Sequence, residues 1–285
     1  MMIDPLISKS MRDLRGQVLG WGIGMAILLG LTVALYPSIG DVYEDMIDEL
    51  PEGMLAFFGA FEAIDRLEGY LNVEFFSFAP LALAVFAILA GTAAIAGEEA
   101  QGTLDLLLAQ PLSRLRCGGT KLAALTVSTV MLVAIMATGL WIALLFIEAD
   151  AAHGRLLVAF LVMVPFLVAL GLLAALLTQV LGSRMMAGTV LGVFVVASYI
   201  LDALSTLSST LATLRPVYLT TYFQGEQALV GELDWGYLIA LVAAIVVLAV
   251  GTLVLFDRRD IGSGPSLRLP NVAFLRRRRG EETAT

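Results

Sequence analysis

The stretch closest to a nucleotide-binding loop is Gly118-Gly119-Thr120-Lys121. A phosphate loop needs Gly-x-x-x-x-Gly-Lys-Ser/Thr, so that backbone amides cradle the phosphates and the lysine reaches them. Here glycine and lysine are not adjacent, and the fragment runs straight into an apolar segment. Ile261-Gly-Ser-Gly-Pro has the composition of a turn-forming linker. His153 is the single histidine and Cys117 the single cysteine, which excludes an intrachain disulfide and a Cys-rich or His-rich metal site. No nucleophile stands near a base at a usable spacing. The expectation is a chain that is not an enzyme and carries neither a metal nor a cofactor of its own.

The residues whose spacing can do mechanical work lie between Gly97 and Lys121, GEEAQGTLDLLLAQPLSRLRCGGTK. Ala100, Thr103, Leu104, Leu107 and Leu108 recur at i, i+3, i+4, i+7 and i+8, one apolar face of a helix. Gln101, Gly102, Asp105 and Ala109 fall opposite, and Leu106 stands on that polar side. Pro111 disfavours helical geometry at Gln110, so the helix ends there. A short amphipathic helix along a membrane surface fits this pattern. It serves either as a plain connector or as a ridge that a partner's groove receives, with Leu106 as the knob.

What must position this segment is a membrane bundle. Hydrophobic residues make up 59% of the 285, charged residues 15%, and the mean hydropathy is +0.90. Soluble domains carry about 45–50% apolar and about 25% charged residues. The excess sits in long uncharged runs, each near the roughly 20 residues that a span needs. Six spans are predicted: 18–36, closed by Pro37; 76–96; 122–147; 156–177, with Pro165 inside; 186–207; and 235–256. The run from Met54 to Phe61 is too short to cross. The first span is too long for a signal-peptide core, and no Ala-x-Ala site follows it, so it is expected to be retained. The fold class is an all-α polytopic membrane protein: a six-helix domain over 1–260 and a mobile basic tail over 261–285.

Lysine and arginine set the orientation. The N-terminal segment, the second and fourth loops and the tail together hold 14 of the 17 basic residues. Only Arg66, Arg155 and Arg215 fall on the other side. Both termini are therefore expected in the cytoplasm. Asp41, Glu74, Asp202, Glu226, Glu232 and eleven other acidic residues fall outside, so the net charge of −8 is the sum of two opposed faces. The acidic outer face is either a matter of topology and solubility or a vestibule that favours cations. Asp202 and Glu74 sit near outer span ends, and no acid–base pair is expected at mid-depth, which weighs against proton-coupled transport.

Gly16, Gly20 and Gly24 fall four apart in the first span, and Gly188 and Gly192 repeat that spacing in the fifth. Such ridges suit helix packing within the subunit or a dimer contact. Trp21, Trp141, Trp235 and Tyr237 fall at predicted interfaces, as an aromatic belt would. Arg276, Arg277, Arg278 and Arg279 form a basic block suited to anionic lipid at the inner surface rather than to nucleic acid. Arg215-Pro216-Val217-Tyr218 and Tyr222-Phe223, between spans five and six, suit a short re-entrant or interfacial helix that packs or gates an exit.

The run Glu98-Glu99-Ala-Gln-Gly102-Thr103-Leu104-Asp-Leu-Leu107-Leu-Ala-Gln-Pro111-Leu-Ser113-Arg114 resembles the signature of ABC-2-type permeases: an acidic pair, Gly-Thr-Leu, a leucine-rich turn, then Pro-x-Ser-Arg after the second span. The six-span plan resembles the family over most of the chain, as does Phe256-Asp-Arg-Arg259-Asp-Ile. The long acidic first outer loop departs from some relatives, so no substrate class carries over. The resemblance implies the membrane subunit of an ATP-binding-cassette exporter in a prokaryotic cytoplasmic membrane. Its partners would be cytoplasmic ATPase subunits, which bind ATP and Mg, and a second copy or a related permease. It also implies that Glu98, Glu99, Gly102, Thr103, Leu104, Leu107, Pro111, Ser113 and Arg114 belong to a coupling helix that docks on the ATPase. Two other classes stay open: a secondary transporter or channel without an ATPase, and a membrane protein of sensing or assembly that moves nothing.

Overall fold

The computed structural model describes residues 5–49, 66–94, 113–205 and 207–258, with side chains omitted at 5–6 and 39–49. Every regular element among the described residues is helical. Five helices are long and apolar enough to cross a membrane, and a bent pair makes up to six.

Helix α1 runs from Pro5 to Glu49. It does not stop at Pro37, as the sequence suggests. Proline removes one backbone donor and crowds the preceding turn. Pro37 is exposed, and membrane helices tolerate such a break where neighbouring groups or water take up the freed carbonyl. Helix α1 also begins well before Val18. There Leu14 and Val18 turn inward, while Arg12, Asp13 and Arg15 stay exposed.

The second predicted span falls on a bent pair of helices rather than on one straight helix. Helix α2 (Leu67–Leu71) passes into a π-helical turn (Asn72–Phe76), and helix α3 (Ala79–Ala94) follows at a 48° bend. The wide turn leaves backbone carbonyls short of partners. The Ser77 hydroxyl supplies one bond, to the Val73 carbonyl at 2.6 Å. Phe75 and Phe76 are fully buried at the break, and Phe76 packs edge-on against Phe160 at 5.8 Å.

Helix α4 (Arg114–Leu144) starts eight residues before the apolar run that predicts it, because Ser113 caps it: the hydroxyl accepts from the Arg116 amide at 3.2 Å. Helix α5 (His153–Leu181) continues through Pro165 and ends on Gly182, whose φ of 64° is the left-handed closure that glycine allows. Ser183 then caps helix α6 (Arg184–Leu204) through the Met186 amide. After helix α7 (Ser209–Thr213) come two 3-10 turns, Arg215–Val217 and Thr220–Tyr222, and helix α8 (Gly225–Val230). Helix α9 (Trp235–Arg258) closes the described chain.

Helix α5 is the axis. Of its most apolar window 67% is buried, against 33% or less for the other long helices. It touches α3, α4, α6, α8 and α9, while α1 packs chiefly on α4. Close approach rests on small residues. A Cβ on Gly91 would strike the Gly171 carbonyl oxygen, and one on Gly139 would come within 2.6 Å of the Ala26 methyl.

The glycine ridges behave differently. Gly16, Gly20, Gly24 and Gly192 face open space, and Gly188 meets only Ile88, at 3.7 Å. Of the two readings of this ridge, packing within the subunit or a dimer contact, the neighbours that the first requires are absent at Gly16, Gly20 and Gly24 among the described residues. On the same helix Leu19, Ile23 and Ile27 are exposed and apolar, as suits lipid or a second membrane subunit.

Candidate functional site

Two ends of the bundle carry polar structure. At the first, α4 begins and α9 ends. Glu98, Glu99, Gly102, Thr103, Leu104, Leu106, Leu107 and Pro111 lie outside the described residues, as do Arg276 to Arg279. Ser113 and Arg114 are described. Ser113 is the cap of α4, which gives the serine of the Pro-x-Ser-Arg run a physical reason: it starts the helix. The Arg114 guanidinium donates to the Asp257 carbonyl at 3.4 Å. Beside it, a Cβ on Gly118 would lie 2.9 Å from Leu253 and 3.1 Å from Phe256. The residues just after the motif are therefore seated on the last turns of α9.

At the opposite end, α5 begins and α6 ends. There Trp141 stacks on His153 with centroids 6.5 Å apart, and the buried Glu68 carboxylate accepts from the Ala152 amide. That carboxylate answers the positive end of α5. Asp202, at the end of α6, uses both oxygens. Oδ1 accepts from Arg215 Nε and Oδ2 from the Thr220 hydroxyl, each at 3.2 Å. So an acid–base pair does exist, but at the end of the bundle and not in its middle.

This pair borders a cavity of about 460 Å³ whose walls come from the α3 start, the α6 end, α8 and the α9 start. Asp202, Glu226, Glu232 and Asp234 line it, with Arg215 as its one basic group. Buried Gln224 holds the wall in place: its Nε2 donates to the Thr221 carbonyl at 3.1 Å and its Oε1 accepts from the Asp234 amide at 3.0 Å. Burial, and then the negative charge of Asp202, push the Glu226 carboxyl up to about 7, although Arg215 pulls the other way. An acid that titrates near neutrality can exchange a proton for another cation.

A second, apolar cavity of about 380 Å³ lies between α5 and α9. The segment from Arg215 to Tyr222 borders both: Arg215 and Thr220 line the polar one, Pro216, Val217, Leu219 and Tyr222 the apolar one. The Tyr222 and Tyr237 rings meet edge-on across that boundary at 5.3 Å. The short interfacial element expected between spans five and six is thus a chain of turns and two short helices, set as a partition.

Residues 9–256 match the family described as the multidrug efflux system permease Rv1217c, C-terminal domain. The chain belongs to that family. A comparison with curated proteins finds no match. The permease is a multi-pass membrane protein, with apolar helices to suit.

Sequence reasoning placed Asp202 and Arg215 at the outer side but did not join them, and it singled out neither Glu68 nor Thr221. Glu68 is one acid among many in an acidic stretch. Glu226 carried a signal: Gln224-Gly225-Glu226-Gln227 is a polar island between Tyr222-Phe223 and Ala228-Leu229-Val230.

Proposed function

We propose that this permease is the membrane subunit of an ATP-binding-cassette exporter of the ABC-2 type. It crosses a prokaryotic cytoplasmic membrane six times, the bent pair counting as one span, with both ends in the cytoplasm. ATP and Mg bind to separate ATPase subunits, and a second copy or a related permease completes the pathway. Substrates of the multidrug kind named by the family are moved outward. The observation that carries this reading is the match of residues 9–256 to an efflux permease. The resemblance of 98–114 to a coupling helix supports the ATPase partner. The contact of Arg114 with Asp257 offers a route for force from that helix into α9.

The test is cross-linking. Leu106→Cys, with Cys117→Ser, is co-expressed with a candidate partner ATPase. Cross-links are expected from position 106 and not from Ala273→Cys. Normal ATPase binding without a cross-link at 106 would sink the docking assignment.

A second reading, secondary transport, is favoured by Glu226, whose carboxyl titrates near neutral pH beside Asp202. It requires transport driven by a proton gradient when the ATPase is absent.

A further inference from the structure

We propose that the groove between α1 and α4 binds an anionic phospholipid, with one acyl chain in the groove and the phosphate at Arg12 and Arg15. The two helices run side by side in the same direction. A Cβ on Gly22 would meet Ile135, one on Gly139 would meet Ala26, and one on Gly30 would meet Ala143, a constant offset of 113 in residue number. Along this seam lies an open, apolar groove of about 620 Å³. Ala26, Gly30 and Gly139 hollow it out, and Ile23, Ile27 and Met131 are its exposed rims. Thr138 is the polar side chain in it, and its hydroxyl donates to the Ala134 carbonyl at 2.7 Å. The lining thus suits hydrocarbon. From Met131 to Ala143 the groove follows α4 for about 18 Å, at 1.5 Å per residue. That is close to the depth of one leaflet, half of a core of about 30 Å.

Charge says which molecule fills it. The offset sets Met131 beside Val18, so Arg15 and Arg12 lie about 5 Å and about 9 Å beyond that end of the groove along α1. Arg15 stands two turns before Gly22 and Arg12 three turns before Ile23, which keeps both near the stripe of α1 that borders the groove. Both are exposed, with Lys9 a turn further on and Asp13 as the acid among them. Basic groups beside a cleft between membrane helices suit a lipid phosphate. A second copy is the rival occupant, and the same charges oppose it. Copies inserted in one direction share an axis along the membrane normal, so a common interface sets each residue at the depth of its own counterpart. Closing this groove with a second copy would bring arginine against arginine, whereas a phosphate brings the opposite charge. A second permease subunit then meets another face.

The experiment is native mass spectrometry of the full chain, delipidated in detergent and offered equal amounts of phosphatidylglycerol and phosphatidylcholine with the same acyl chains. The first lipid bound is expected to be phosphatidylglycerol, preferred about tenfold. Arg12→Gln with Arg15→Gln should bring the ratio to within about twofold. Arg155→Gln with Arg184→Gln removes the same charge elsewhere and should keep the preference. Gly30→Phe should cut the first adduct of both lipids about tenfold by filling the groove. Thr138→Phe fills it from the other helix and serves if thermal unfolding shows Gly30→Phe to be unfolded. No preference, a preference that survives the loss of Arg12 and Arg15 or is lost equally with Arg155 and Arg184, or adducts untouched by the groove variants would overturn the proposal. Cross-linking between copies at Ile23→Cys, with Cys117→Ser, would also overturn it by giving the groove to a second copy. Lipid binding needs no ATPase, so a missing cross-link at position 106 sinks the ATPase reading alone, and a missing lipid preference sinks the lipid site alone.

Discussion

Arg114 and Asp257 stand 143 residues apart in the chain, yet the guanidinium of one donates to the backbone carbonyl of the other. Arg114 closes the run that resembles the ABC-2 permease signature, and Asp257 lies in the last turn of α9. A push on the segment before Ser113 therefore reaches the last span as well as α4. Gly118→Leu would place a branched side chain where a single added Cβ already meets Leu253 at 2.9 Å. It is expected to spread α4 from α9 and to lower substrate-stimulated ATPase activity about tenfold, while ATPase pull-down stays normal. Unchanged stimulation would contradict a role for this junction.

Gly91 and Gly171 bring α3 and α5 to backbone contact. Gly91→Ala puts a Cβ onto the Gly171 carbonyl oxygen, and neither backbone can yield cheaply. A loss of about 2–4 kcal/mol is expected in reversible unfolding in detergent. Gly24→Ala, which faces open space, should change monomer stability by less than about 0.5 kcal/mol.

Glu68 caps α5 through the Ala152 amide from inside the protein. Glu68→Ala removes the acceptor and leaves a helix end unanswered. The expected cost is about 1–3 kcal/mol. Glu68→Gln keeps an acceptor without the charge and should cost less than the alanine variant. Equal losses would mean that shape alone matters there.

Glu226 gives the fold a pH dependence. Its carboxyl stands at about 7, above the ordinary 4.5, so between those values the folded state holds a proton that the unfolded chain has lost. The resulting stabilisation is full below about pH 4.5 and disappears as pH rises through about 7. Asp202 with Arg215, and Glu232, Asp234, Tyr199 and Tyr237, are the other charged or titratable groups that line the cavity. The melting temperature should fall from pH 5.5 to pH 8 in the wild type and fall less in Glu226→Gln. A melting curve with the same slope in both proteins would contradict this assignment.

The long helices were legible because each carries an unbroken apolar run, and the starts of α5, α6 and α9 lie within three residues of expectation. Three features were not. A proline inside α1 looked like a stop because local propensity takes no account of the membrane edge. The break at Asn72–Phe76 holds no glycine or proline of its own, and Pro80, second in the helix that follows, equally suits an ordinary helix start; Phe75 and Phe76 are buried there, Phe76 against Phe160 from a distant helix. The cavity escaped notice because its acceptors come from α8 and the turns before it, which only the folded chain brings to the end of α6. The glycines show the same limit from the other side. The regular Gly16, Gly20, Gly24 ridge is open, while the unremarked Gly91 and Gly139 make the tight crossings.

The most direct measurement is transport in inside-out vesicles that contain the permease and a candidate partner ATPase, with a fluorescent multidrug-efflux substrate outside. The expected result is uptake that requires ATP, stops when the ATPase lacks its catalytic glutamate, and is unaffected by collapsing the proton gradient. Uptake that persists without ATP and disappears with the proton gradient would contradict an ATP-driven exporter.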